Sequence, residues 1–198
     1  MRIIAATQNS HKIEELNAIT KDFGMELVSM KEAGLGSLEI EENGTTFEEN
    51  SFIKAKAITD LTGELAIADD SGLEVDALSG APGVHSARFA GGHGNDAANR
   101  QKVLQLLQNV PDEKRTARFV CVITLVRPDG TKLAARGTVE GRITEEELGD
   151  GGFGYDCIFM PDGFDVTFAQ MDADQKNRMS HRARALAILR EEWRKEGL

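Results

Sequence analysis

The stretch Arg2-Ile3-Ile4-Ala5-Ala6-Thr7-Gln8-Asn9-Ser10-His11-Lys12-Ile13-Glu14-Glu15-Leu16 decides the fold class. Arg2 to Ala6 reads as a buried strand, and the polar turn Thr7 to Ser10 ends it. Apolar residues then recur at helical spacing at Ile13, Leu16, Ile19 and Phe23, up to a stop at Gly24. Working outward, Glu26 to Met30 forms a second strand, followed by an irregular acidic stretch from Lys31 to Gly44. Thr46 with Glu49 has the form of a capping box, opening a helix whose inner face carries Ile53, Ala57, Ile58 and Leu61 and which stops at Gly63. Leu65 to Ala68 is a third apolar run, cut off by Asp69-Asp70-Ser71-Gly72 before the alternating Leu73, Val75 and Ala77.

Farther on, Gly80 to Gly94 reads as a long loop, of the length that is functional or mobile. Val103, Leu106, Leu107 and Val110 mark another amphipathic helix. Ala117 to Val126 and Lys132 to Ile143 flank Pro128-Asp129-Gly130 as a long antiparallel hairpin, which projects as a second lobe or supplies a dimer surface. A last helix from about Asp174 shows a stripe of Met179, Ala183, Leu186, Leu189 and Trp193. Alternating helices and strands plus one hairpin predict an α/β (α+β mixed) fold: a single domain over residues 1–198 around a mixed β-sheet with flanking helices.

With 198 residues, 40% of them hydrophobic, the chain can bury a real core. It carries 33 acidic against 23 basic residues, a net charge of −10, which repels a polyphosphate and counts against nucleic acid polymers and anionic membranes as partners. The acidity is uneven: Lys176 to Leu198 holds seven basic and three acidic residues, a net +4, so the rest of the chain carries −14. No apolar run approaches the roughly 20 residues of a membrane span, and no signal-peptide pattern opens the chain, so a cytoplasmic protein is expected. Cys121 and Cys157 lie in apolar stretches without ligand spacing and read as buried free thiols.

Four polar clusters interrupt this pattern. Thr7, Gln8, Asn9, Ser10, His11 and Lys12 lie between strand and helix, where free backbone N–H groups favour an anion; the same residues also make an ordinary helix cap with a solvated lysine. Glu39, Glu41 and Glu42 with Asp69 and Asp70 can hold Mg²⁺, which binds through one or two carboxylates plus phosphate oxygens; the glutamates alone also suit a solvated loop. Gly151-Gly152-Phe153-Gly154-Tyr155-Asp156 offers close backbone approach and aromatic faces for a base, or equally a turn whose aromatics pack in the core. In Ser180-His181-Arg182, Arg182 falls on the apolar stripe and needs an acceptor, either a protein carboxylate or a ligand.

Taken in order, these stretches resemble the inosine/xanthosine triphosphate pyrophosphatase family. The matching segments are Ala6-Thr7-Gln8-Asn9 with Lys12, Glu42-Asn43-Gly44 with Thr46-Phe47 and Glu49-Asn50, Lys54-Ala55, Ala68 to Leu73, Pro82-Gly83 with Ser86-Ala87-Arg88, Gly152 to Asp156, and Lys176-Asn177 with Ser180-His181-Arg182. The resemblance implies an elongated α/β fold of two lobes with the active site in the cleft between them, a homodimer, Mg²⁺ dependence, and hydrolysis of dITP, ITP and XTP to monophosphate and pyrophosphate. It assigns Thr7 to Lys12 and Lys54 to the triphosphate and Asp70 to the general base and the metal. Glu42 becomes a metal ligand, with Glu41 as the neighbouring candidate and Asp69 beside Asp70. Ser71 touches substrate, and Phe153, Gly154, Tyr155, Asp156, Lys176, His181 and Arg182 form the nucleoside pocket. Gln8 stands where glycine is common, Cys157 where proline is usual, and His85 and Phe89 where tyrosine is frequent. A nucleotide-binding sensor would use the same turn and pocket but not the carboxylates. A plain interaction protein leaves Asp69, Asp70 and Arg182 unexplained.

Overall fold

The computed structural model describes residues 2–20, 26–92 and 94–195. In chain order its elements are β1 (Arg2–Ala5), α1 (Ser10–Thr20), β2 (Glu26–Ser29), α2 (Phe47–Thr62), β3 (Ala66–Val75), α3 (Asp96–Leu106), β4 (Thr116–Val126), β5 (Lys132–Ile143), β6 (Phe159–Pro161), α4 (Ala173–Met179) and α5 (His181–Lys195). The strands form one six-stranded sheet in the order β2-β1-β3-β4-β5-β6. β1 runs parallel to β2 and to β3, whereas β5 and β6 are antiparallel, so the sheet is mixed as expected.

Two compact units divide the chain: Met1–Asp70 with Cys121–Gly137 and Arg182–Leu198, and Ser71–Val120 with Thr138–His181. In the first unit, strand alternation with both faces covered explains why β1 is apolar after Arg2. Ile3, Ala5 and Ile67 face Leu16 of α1 and Ala185, Leu186 and Leu189 of α5, while Ile4, Ala6, Ala66 and Ala68 face Ala55 and Ile58 of α2. In the second unit Leu73, Val75, Val103, Leu107, Val139 and Ile143 pack with Phe119, Phe159 and Phe168. Phe119 meets Phe159 edge-on at 4.6 Å, an arrangement aromatic pairs favour.

The hairpin closes through Arg127 N–H donating to Thr131 C=O at 2.9 Å, and Ile143 N–H reaches Arg115 C=O at its far end. Helix α2 begins as its sequence predicts: Thr46 Oγ1 accepts the Glu49 N–H, and Gly63 ends it at φ 67°. The Glu49 carboxylate returns to the N–H and the hydroxyl of Thr45. The two cysteines are free and buried.

Four expectations are corrected. The inner face of α2 is rotated: Leu61 is 60% exposed, and Asn50, Ser51, Lys54, Ala55, Ile58 and Thr59 are buried. These polar side chains turn inward because each meets a partner, Ser51 Oγ bonding Thr124 Oγ1 at 2.7 Å and Thr59 Oγ1 donating to Val126 C=O. The third strand does not stop at the aspartates but runs through them, since both carboxylates find cations. Gly80 to Gly94 contains a 3-10 segment, Gly83–Arg88, pinned where Ser86 Oγ accepts the Leu73 N–H and where Asn99 Oδ1 accepts the Ala90 N–H. The last helix is two helices, broken at Ser180, whose backbone is extended (φ −61°, ψ 157°). Phe23 and Gly24, expected to close α1, lie outside the described residues, as does the side chain of Ile19.

Candidate active site

Strand alternation places Asp69 and Asp70 on opposite faces of β3. Asp69 shares the face of Ile67, toward α1 and α5; its Oδ2 pairs with Lys12 Nζ and with Arg182 Nη2, each at 3.1 Å. Arg182, 1% exposed, also reaches Glu15 of α1 through Nη1. Burial alone raises the Asp69 carboxyl, but Lys12, Arg182 and Lys54 outweigh it and hold it well below the ordinary carboxylate range.

Asp70 shares the face of Ala66 and Ala68, toward α2. Its Oδ1 lies 3.1 Å from Lys54 Nζ, and the same ammonium lies 3.1 Å from Glu42 Oε1. The other oxygen, Oδ2, is buried and has no hydrogen-bond partner among the described residues. Burial lifts the Asp70 carboxyl above its ordinary value, and Lys54 and Lys12 oppose without cancelling it. Burial also disfavours the Lys54 ammonium, yet Asp70, Glu42 and Asp69 keep it protonated above the usual lysine value.

The turn before α1 supplies the adjoining groups. Asn9 caps the helix, its Oδ1 accepting the Lys12 N–H at 3.2 Å, and Thr7 Oγ1 accepts the Asn9 N–H. Gln8 Nε2 donates to Leu38 C=O at 2.7 Å, tying the turn to the acidic stretch and giving this unusual residue a structural use. Ser10 and His11 are exposed at the first turn of α1. Glu42 is half-buried beside Lys54, whereas Glu39 and Glu41 are exposed.

The second unit holds a separate constellation. Asp156 Oδ2 accepts the Phe153 N–H at 2.8 Å and the Lys176 ammonium at 2.7 Å. The Lys176 Nζ stands 5.0 Å from the centroid of the half-buried Phe153 ring. A Cβ on Gly152 would lie 2.1 Å from Asp156 Oδ2, so glycine is required there. Tyr155 faces the core, its hydroxyl donating to Ser86 C=O at 2.7 Å. His181 stacks on Phe119 at 4.8 Å with an 11° tilt. Ser71 is half-buried in β3, directly after Asp70.

A profile of the Ham1 family matches residues 3–192. The chain belongs to the Ham1 family. A relative from Clostridium perfringens, named a dITP/XTP pyrophosphatase, is 48% identical across 96% of this chain and 96% of its own. Another of that name, from Desulforamulus reducens, is 50% identical across 94% of this chain and 92% of its own. The solved Ham1 protein of Staphylococcus aureus superposes with a TM-score of 0.87 at 40% identity, covering 99% of this chain and 100% of that one.

Within this Ham1 chain the expected metal set divides. Glu42 and Asp70 converge on one ammonium, and Asp69 points to the opposite face with its own cations. No group of three or more His, Cys, Asp or Glu side chains among the described residues is disposed to hold a metal by itself. Glu42 and Asp70 are hard carboxylates, the second with a buried oxygen lacking a hydrogen-bond partner among the described residues, and are the donor type that a hard divalent cation such as Mg²⁺ would take. Two residues were given no role by the sequence, although Asn50 lies in one of the matching segments. Glu15 follows Lys12 by three positions and Asn50 precedes Lys54 by four, so helical spacing alone puts each on the face of its neighbour. Asn50 is fully buried, and its Oδ1 accepts the Gly44 N–H at 2.9 Å, fixing the loop that carries Glu42.

Proposed function

We propose that this Ham1 protein hydrolyses non-standard purine nucleoside triphosphates, dITP, ITP and XTP, to the monophosphate and pyrophosphate, removing them before they enter DNA or RNA. The observation that carries this reading is the Asp70 carboxylate: buried, raised above its ordinary value, one oxygen held by Lys54 and the other without a hydrogen-bond partner among the described residues. The relatives named dITP/XTP pyrophosphatase support it.

Asp70 acts as general base. Its carboxylate takes the proton of a water whose oxygen bonds to phosphorus at the α–β anhydride while the bridging P–O bond breaks and pyrophosphate leaves. Lys54, Lys12, Thr7, Gln8, Asn9, Ser10 and His11 are assigned to the triphosphate, whose developing charge the two ammonium groups neutralise. Glu42 and Asp70 would hold Mg²⁺, which when bound neutralises phosphate oxygens. Ser71 is assigned a substrate contact. Asp69 serves to anchor Lys12 and Arg182, which gives it a use other than metal.

The nucleoside is assigned to Phe153, Gly154, Tyr155, Asp156, Lys176 and His181. Phe153 offers the stacking face and Lys176, oriented by Asp156, a donor. Arg182 acts through its ion pairs with Asp69 and Glu15. A site built to donate to the O6 of hypoxanthine or xanthine leaves its donors unpaired against the amino group of adenine. The protein is proposed to work as a cytoplasmic homodimer on free nucleotides, without binding nucleic acid polymers or membranes. Among the described residues no helix is long and apolar enough to cross a membrane. Incubation with ITP, ATP and GTP in Mg²⁺, followed by product separation, tests the reaction. IMP with pyrophosphate from ITP, and far slower turnover of ATP, is expected; IDP with orthophosphate contradicts it.

A further inference from the structure

The glycine-rich loop is held from both sides. From one side, Asp156 and Lys176 fix the Phe153 N–H and ring. From the other, two residues of α3 one turn apart hold a single residue by both ends: Gly154 N–H donates to Asp96 Oδ2 at 3.0 Å, and Arg100 Nη1 donates to Gly154 C=O at 3.0 Å. Arg100 is itself steadied by Glu147, whose Oε2 lies 3.2 Å from Arg100 Nε and whose Oε1 accepts from Gln101 at 3.1 Å. Gly154 takes φ +60°, in the left-handed region, so the turn depends on external bonds as well as on glycine.

We propose that Asp96 and Arg100 are positioning residues for purine recognition: they hold the Gly154 peptide so that the Phe153 ring stands in place before substrate arrives. This rests on the nucleoside assignment made above. The clasp has a chemical consequence. The single N–H of Gly154 is spent on Asp96, so it is not the donor that reads the purine O6, and Gly154 contributes through its conformation. A loop ordered in advance binds without paying for its ordering at the moment of binding, which appears in KM more than in kcat.

Asp96→Ala and Arg100→Met test this, with Asp96→Asn as the conservative variant, because an amide oxygen still accepts the Gly154 N–H. Steady-state kinetics with ITP are read beside inhibition by pyrophosphate, a probe of the phosphate-binding residues alone. Loss of either bond is expected to raise KM for ITP about tenfold. With it, kcat stays within about twofold, the pyrophosphate inhibition constant is unchanged, and Asp96→Asn lies close to wild type. Arg100→Lys keeps a donor and reports the same trend more weakly should Arg100→Met misfold. An unchanged KM in Asp96→Ala and Arg100→Met overturns the inference, as does a parallel rise in KM and in the pyrophosphate constant, which marks general structural damage. Wild-type protein that turns over ITP and ATP alike overturns the nucleoside assignment itself; wild-type selectivity with unaffected variants overturns the clasp alone.

Discussion

Asp69 and Asp70 are neighbours in sequence that serve opposite faces of one strand: Asp69 meets Lys12 and Arg182, and Asp70 meets Lys54. The double carboxylate is therefore two sites with separate cations, one a buried anchor and the other the proposed base.

The anchor is structural. Arg182 is 1% exposed, and removing the Asp69 charge leaves it with Glu15 as its remaining carboxylate partner among the contacts above. Asp69→Asn is expected to cost about 3 kcal/mol, since breaking a buried ion pair strands the surviving charge. Urea denaturation measures it; a loss below about 1 kcal/mol, the level of an exposed pair, contradicts it.

The same substitution has a pH signature. The folded Asp69 carboxyl ionises well below an unfolded one, whose pKa is about 3.9. A group depressed on folding stabilises above its unfolded value, and that contribution is lost as pH falls through the folded value. The wild-type advantage over Asp69→Asn should thus be constant from pH 7 to 5 and shrink only below about pH 3.9. Denaturation midpoints across that range check this, and an advantage already gone at pH 5 refutes it.

Gly44 links the acidic loop to α2. A Cβ there would lie 2.6 Å from Asn50 Oδ1 and 2.7 Å from Glu49 Cβ, so Gly44→Ala must displace the segment that carries Glu42. The Mg²⁺ concentration giving half-maximal activity is expected to rise about tenfold, as for loss of a ligand's supporting contact. Direct Mg²⁺ titration followed by calorimetry gives the same shift without turnover; an unaltered Mg²⁺ requirement excludes Glu42 as a ligand.

Both cysteines are expected to be inert. Burial pushes the Cys121 thiol up to about 12 and the Cys157 thiol up to about 11. At pH 8 the folded protein should leave both unmodified by iodoacetamide over the time in which the denatured chain alkylates fully. Mass spectrometry counts the adducts, and rapid labelling of either residue contradicts the assignment.

Much of this was legible in the residues. The bounds of β5, the turn at Pro128-Asp129-Gly130 and the Thr46 cap follow from local pattern, because alternation and capping are short-range chemistry. The rotated face of α2 was not legible. Counting apolar residues selects Leu61, yet Ser51, Lys54 and Thr59 turn inward because Thr124, Asp70 and the Val126 carbonyl wait across the sequence. The pairing of Arg182 with Asp69 was likewise open, since an inward arginine announces its need for an acceptor but not which one. The break at Ser180 was hidden because the stripe on either side keeps helical spacing.

The central claim is that Asp70 is the base, and Asp70→Asn tests it most directly. Single-turnover cleavage of ITP, read beside equilibrium binding of ITP to the same protein, separates chemistry from recognition. The account predicts a rate lowered at least about a hundredfold, the usual scale for loss of a general base, with ITP affinity within a few-fold of wild type. A near-normal cleavage rate in Asp70→Asn would contradict it.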